Sequence, residues 1–131
     1  MKTKQTKKRI KISSAKNKAR WLQQWACKKI SDYTQIPWGK DLGIESRPMG
    51  QSGTDVILRG EAAERFPFAV ECKSGPSIGW TDAVRQARKN AKKSNQDWIL
   101  ILKHPDFKVP VVILDGEVFF DEILSDWRLQ K

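Results

Sequence analysis

Asp55-Val-Ile-Leu-Arg59 and Pro67-Phe-Ala-Val-Glu-Cys-Lys73 are two short β-rich runs, each bounded by glycine or proline, with Glu61 to Arg65 between them long enough for one helical turn. Two neighbouring strands are the simplest reading. Successive side chains of a strand point to opposite faces, so Glu71 and Lys73 share one face while Val70 and Cys72 take the other. If the two strands pair as a hairpin, the carboxylate of Asp55 reaches the same sheet edge as Glu71. Two carboxylates then meet beside one lysine, on a strand otherwise made of apolar residues. Burying such groups is costly unless they are paired or bind a cation. A hard divalent ion such as Mg²⁺, which prefers oxygen ligands and keeps several waters, suits the arrangement.

Outward from this pair of strands, Ser13 or Ser14 is placed to cap a helix running to about Tyr33, with Leu22, Ala26 and Ile30 at helical spacing and Lys16, Arg20 and Lys28 facing elsewhere. Residues 36 to 53 hold two prolines and four glycines and read as loop, with room for a short strand at Ile44 to Arg47. After Gly75-Pro76, Trp80, Val84, Ala87 and Ala91 trace an apolar stripe opposite Arg85, Lys89 and Lys92. Trp98 to Lys103 and Val109 to Leu114 predict two more strands, and Val118 to Trp127 a closing amphipathic helix. The order predicts an α/β sandwich with helices covering a mixed β-sheet. Its division is a flexible basic arm over residues 1–12 and a single domain over 13–131.

Composition narrows the partners. The chain of 131 residues carries 25 Lys and Arg against 15 Asp and Glu, a formal charge of +10 and a pI of about 9.8. An acidic polymer is the expected partner, nucleic acid before anionic membrane. No apolar run reaches the roughly 20 residues of a membrane span, so no membrane partner and a cytoplasmic location are expected. Cys27 and Cys72 lie among apolar neighbours inside regular structure, as reduced cysteines do. One histidine and no Cys/His cluster leave no usual tetrahedral zinc site, so a metal would fall to carboxylates.

Ser52-Gly53-Thr54-Asp55-Val56-Ile57 followed by Val70-Glu71-Cys72-Lys73 resembles the signature of the PD-(D/E)XK nuclease superfamily. The wider stretch from Met49 to Lys73 is similar to small phage endonucleases related to Holliday-junction resolvases, and the resemblance runs from about Ser14 to Leu114. It implies a restriction-endonuclease-like core and a Mg²⁺-dependent DNA endonuclease acting in the cytoplasm, the host's if phage-encoded. Mn²⁺ is expected to substitute. The resemblance assigns Asp55, Glu71 and the backbone carbonyl of Cys72 to the metal. It gives Lys73 the attacking water, and Gln86 matches a glutamine that many members place beside the catalytic lysine. It further implies branched or otherwise non-standard DNA as substrate, with a homodimer for a symmetric four-way junction. Two departures stand out: Thr54 replaces the proline of the signature, and residues 14 to 31 lack the acid that many members carry on the first helix. Glu45 is the nearest candidate for a further acid.

Several features have simpler readings. Glu-x-Lys alone is a weak pattern in a chain rich in both types. Asp106-Phe107-Lys108, which follows Pro105, mimics the signature but sits in an expected turn. His104 reads as a turn residue or a phosphate contact, and most of the six tryptophans as core, with Trp80 on the sheet-facing side of its helix and Trp21 or Trp38 free to stack on bases. Lys8, Arg9, Lys11, Arg20, Arg47, Arg85, Lys89 and Lys92 are candidate phosphate contacts, which bind without reading sequence. The rivals are a non-catalytic nucleic-acid-binding module on the same fold, a nuclease for linear or single-stranded DNA, and one directed at RNA.

Overall fold

The computed structural model describes residues 12–129 of a mixed α/β chain; residues 1–11 of the expected basic arm, with Lys8, Arg9 and Lys11, lie outside them, and its last residue, Ile12, begins the first helix. The elements are α1 (Ile12–Thr34), β1 (Ile44–Ser46), β2 (Val56–Leu58), α2 (Glu61–Arg65), β3 (Phe68–Ser74), α3 (Trp80–Lys93), β4 (Asp97–Lys103) and β5 (Val111–Ile113). A π-helical stretch, Val118–Ile123, then runs into α4 (Leu124–Leu129). The expected closing helix is therefore wound in two ways. Ser13 and Ser14 lie inside α1 instead of capping it.

The expected hairpin of β2 with β3 does not form. The strands instead build two sheets, an antiparallel pair β1–β2 and a three-stranded sheet in the order β3–β4–β5. β3 and β4 run parallel through α3, pairing Glu71 with Leu100 and Lys73 with Leu102, and β5 adds antiparallel to β4. A parallel pair needs a long crossover, which the fourteen residues of α3 supply. Trp98 to Ile101 of the central strand are buried without alternation, the pattern of a strand covered on both faces.

Those two faces make two cores. On one, Leu22, Ala26, Cys27 and Ile30 of α1 meet Ile44, Val56, Val70, Ile99 and Ile101. On the other, Ala83, Val84, Ala87 and Ala91 of α3 meet Ala69, Trp98 and Leu100. Leu22 and Leu100 are fully buried, and truncating either to alanine is expected to cost about 2–5 kcal/mol. Trp80 departs from its expected place: as the first residue of α3 it is 58% exposed, and Ala83 takes the sheet-facing position one turn later. The alternation along β3 sends Val70 toward α1 and Ala69, Glu71 and Lys73 toward α3. Among the described residues no helix is long and apolar enough to cross a membrane.

Candidate functional site

Asp55 stands one residue before β2, where it ties the two sheets together. Its backbone N–H donates to the carbonyl of Val70 at 2.9 Å, and its own carbonyl accepts the N–H of Arg47 at 2.9 Å. The carboxylate extends the tie: Oδ2 accepts the backbone N–H of Cys72 at 2.7 Å and Oδ1 accepts the amide of Gln23 at 3.2 Å. Gln23 is itself buried on α1 and receives the hydroxyl of Ser46 on its Oε1 at 2.7 Å. Both oxygens of Asp55 are thus held by neutral groups from two separate elements, β3 and α1, with Ser46 of β1 behind Gln23.

Glu71 is buried at 4% exposure on β3 and faces α3, where the side-chain amide of Asn90 donates to its Oε2 at 3.1 Å. Neither carboxylate has an ion-pair partner among the described residues. Burial therefore governs their acidity. Desolvation pushes Glu71 up to about 7, opposed by the Asn90 hydrogen bond, reinforced by the charge of Asp55, and opposed again by Lys73 and Arg47 at longer range. Asp55 is raised for the same first reason, against the Cys72 hydrogen bond and the charges of Lys73 and Arg47.

The two acids open on a cleft of about 670 Å³ whose lining includes Lys73, Gln86, Asn90 and Lys93. Gln86, Asn90 and Lys93 follow one another at i, i+4 and i+7, so a single face of α3 forms one wall. The N–H and carbonyl of one strand residue point to the same side. Since the Cys72 N–H meets Asp55, its carbonyl also faces the Asp55 edge, away from β4. The loop before Asp55 is pinned by Arg47, whose Nε–H donates to the carbonyl of Thr54. Its guanidinium occupies the place of a side chain at Gly53: an added Cβ would lie 2.8 Å from Cζ, and the φ of +122° is itself a glycine conformation.

The structure thus brings Asp55, Glu71, the Cys72 carbonyl, Lys73 and Gln86 to one cleft. It does not bring Glu45, which faces away from Ser46 on β1. Arg59 holds Glu45 in an ion pair at 2.8 Å, and this hydrogen bond is the largest influence keeping its carboxyl below the usual range. Arg20 and Arg47 border a neighbouring groove beside Gln23, whereas Arg85 is paired with Asp82 at 2.7 Å. Arg85, Lys89 and Lys92 form a stripe about 100° around α3 from the cleft wall. Lys93, not Lys89 or Lys92, reaches the cleft.

Gln23 and Asn90 were not among the sequence candidates, yet each had a signal. Gln23 falls at i−3, i−4 and i−7 from Ala26, Cys27 and Ile30, a polar residue on the buried face of α1, and Asn90 is one turn beyond Gln86. His104 is a turn residue, its Nδ1 accepting the N–H of Asp106 at 3.0 Å, and Asp106 is exposed. Cys27 and Cys72 are free thiols, and burial, reinforced by Glu45, pushes Cys27 up to about 12.

No three His, Cys, Asp or Glu side chains gather at a possible metal site among the described residues, so Asp55 and Glu71 form a pair of acids. Comparison with protein-family models, with curated proteins and with solved structures returns no match. What the cleft can do therefore follows from its own geometry.

Proposed function

We propose that the chain is a Mg²⁺-dependent deoxyribonuclease on a restriction-endonuclease-like core, cutting phosphodiester bonds at the Asp55–Glu71 cleft. The observation that carries this reading is a buried carboxylate, Glu71, and a half-buried one, Asp55, facing one cleft, both held by neutral donors and both raised in pKa by desolvation. Such a pair favours proton uptake or a cation. Its donors are all oxygens when the Cys72 carbonyl is included, and a pair of acids leaves room for the waters that Mg²⁺ retains. The residues fit the ion, and Mn²⁺ is expected to replace it.

Asp55, Glu71 and the Cys72 carbonyl would hold the metal, which when bound supplies a polarised water and positive charge against the phosphate. Lys73 lies on the same strand face as Glu71 and brings a positive charge into the cleft, where it holds the attacking water or the phosphate oxygens. Gln86 faces the same space with an amide able to orient that water. Gln23 and Asn90 are positioning residues, fixing one oxygen each of Asp55 and Glu71. Lys93 and the basic surface of α3 attract the phosphate backbone without reading bases. By its resemblance to resolvase-like endonucleases the preferred substrate is branched or otherwise non-standard DNA, with two copies meeting a four-way junction.

The test is cleavage of labelled four-way-junction, single-stranded and duplex DNA, and of a matched RNA, by the wild type and Glu71→Ala in Mg²⁺ or EDTA. Mg²⁺-dependent cutting that Glu71→Ala loses is the expected result. Tight binding with no cutting in Mg²⁺ or Mn²⁺ would instead identify a binding module.

A further inference from the structure

A second hollow lies at the C-terminal end of β3, on the opposite side of the sheet from Glu71. It measures about 420 Å³ and is lined by Lys18 and Trp21 of α1, by Ser74 at the end of β3 and Gly75 after it, and by Lys103 at the end of β4 with Pro105 and Lys108 of the loop that follows. Its size falls within the roughly 300–1,000 Å³ of pockets that take a small ligand. Lys18 and Trp21 are three residues apart on α1 and so share a face, and Trp21 is 48% exposed.

The chemistry is that of a stacking site with charges at its rim. Lys103 is already engaged, donating to the carbonyls of His104 at 2.9 Å and Phe107 at 2.6 Å, and so fixes the loop that presents Pro105. Lys18 and Lys108 make no ion pair among the described residues. The acid in that loop, Asp106, leans on His104 at 3.7 Å. Gly75 has a φ of +130° and open space where a side chain would stand, and its N–H donates to the Lys103 carbonyl at 3.1 Å. The floor is therefore bare and tied to the opposite wall.

We propose that this hollow receives one unpaired nucleotide of the DNA strand bound at the cleft. The base stacks on Trp21, and Lys18 and Lys108 hold the phosphates on either side of it. In a duplex both faces of a base are covered by its neighbours, so an exposed indole selects a base already out of the stack. Gly75 is four residues beyond Glu71, about 13 Å along an extended chain, so a strand that passes round the end of β3 reaches the hollow a few nucleotides from the one cut. Junctions, flaps and single strands offer such a nucleotide; an intact duplex does not. The proposal rests on DNA being the ligand, as in the reading above, but not on its being cut.

Binding of the full chain to a fluorescent single-stranded oligothymidylate and to a blunt duplex, in EDTA, separates the two ideas. Trp21→Ala is expected to weaken the single strand about ten-fold and the duplex by less than about two-fold, and Trp21→Phe to keep most of the affinity. In Lys18→Ala/Lys108→Ala the slope of log affinity against log salt for the single strand should shrink by about 1.4, two phosphates' worth. Equal losses on both DNA forms, or no loss on the single strand with the salt slope unchanged, overturn the proposal. A wild type that binds the single strand through Trp21 yet never cuts in Mg²⁺ sinks the nuclease and spares the hollow.

Discussion

Glu45 and Glu71 are both glutamates on short strands, and they end in opposite electrostatic conditions. Glu45 has a guanidinium 2.8 Å away and its carboxyl titrates below the usual range. Glu71 has an amide at 3.1 Å, a second carboxylate nearby, and a pKa pushed up to about 7. An arginine completes a carboxylate; an amide orients it and leaves its charge unanswered. The contrast separates an acid with a structural role from one whose charge still calls for a cation, although both read alike as acids beside a strand.

The largest test of that contrast is activity. Glu71→Gln keeps the shape and the Asn90 contact but removes the charge, and should lower Mg²⁺-dependent cleavage roughly a hundred- to thousand-fold, the scale for losing one group that stabilises a transition state. Single-turnover cleavage at saturating enzyme measures it.

Next comes the pH dependence of stability in metal-free protein. Between about pH 4.5 and 7 folded Glu71 keeps a proton that the unfolded chain has released, so raising the pH through that window destabilises the fold. The penalty is absent below the window and complete above it, amounting to about 3 kcal/mol at most. Urea unfolding in EDTA from pH 4.5 to 8 should show this fall in the wild type and a flatter profile in Glu71→Gln. If the site holds Mg²⁺ as proposed, saturating Mg²⁺ should restore stability at the upper end, as any ligand of the folded state alone does.

The positioning amides come third. Asn90→Ala and Gln23→Ala should each weaken Mg²⁺ binding about ten-fold while leaving the acids in place, as loss of an outer partner does at metal sites. Calorimetric titration reads the affinity directly. The smallest effect belongs to the finished acid: Glu45→Gln should change cleavage and Mg²⁺ affinity by less than about two-fold, in line with the small contribution of exposed ion pairs. A Glu45 variant as damaged as Glu71→Gln would erase the distinction.

Much of this was legible in the chain. Alternation along Phe68–Lys73 placed Glu71 and Lys73 together, and the apolar spacings of α1 and α3 located both covering helices. Strand partnership was not legible. Periodicity states which way side chains point but not which neighbour a strand takes, and here β3 prefers the long parallel partner β4 to the three-residue β2. The expected hairpin failed while its consequence survived, because one backbone hydrogen bond and the Cys72 N–H bring Asp55 to β3 without a ladder. The roles of Gln23 and Asn90 were not legible for a related reason: an amide announces no chemistry until a carboxylate stands opposite it.

That single stitch between the sheets has a dynamic consequence. β3, α3 and β4 form one continuous piece of chain, whereas Asp55 belongs to the small β1–β2 sheet docked against it through α1. Local opening of this seam costs less than global unfolding and shows itself as faster amide exchange at Asp55 and Cys72 than in the centre of β4. Each such opening separates Asp55 from Glu71. A chain still folding, or one briefly frayed at the seam, therefore carries both acids but no assembled centre, and on the proposed reading would cut nothing until the last docking step is complete.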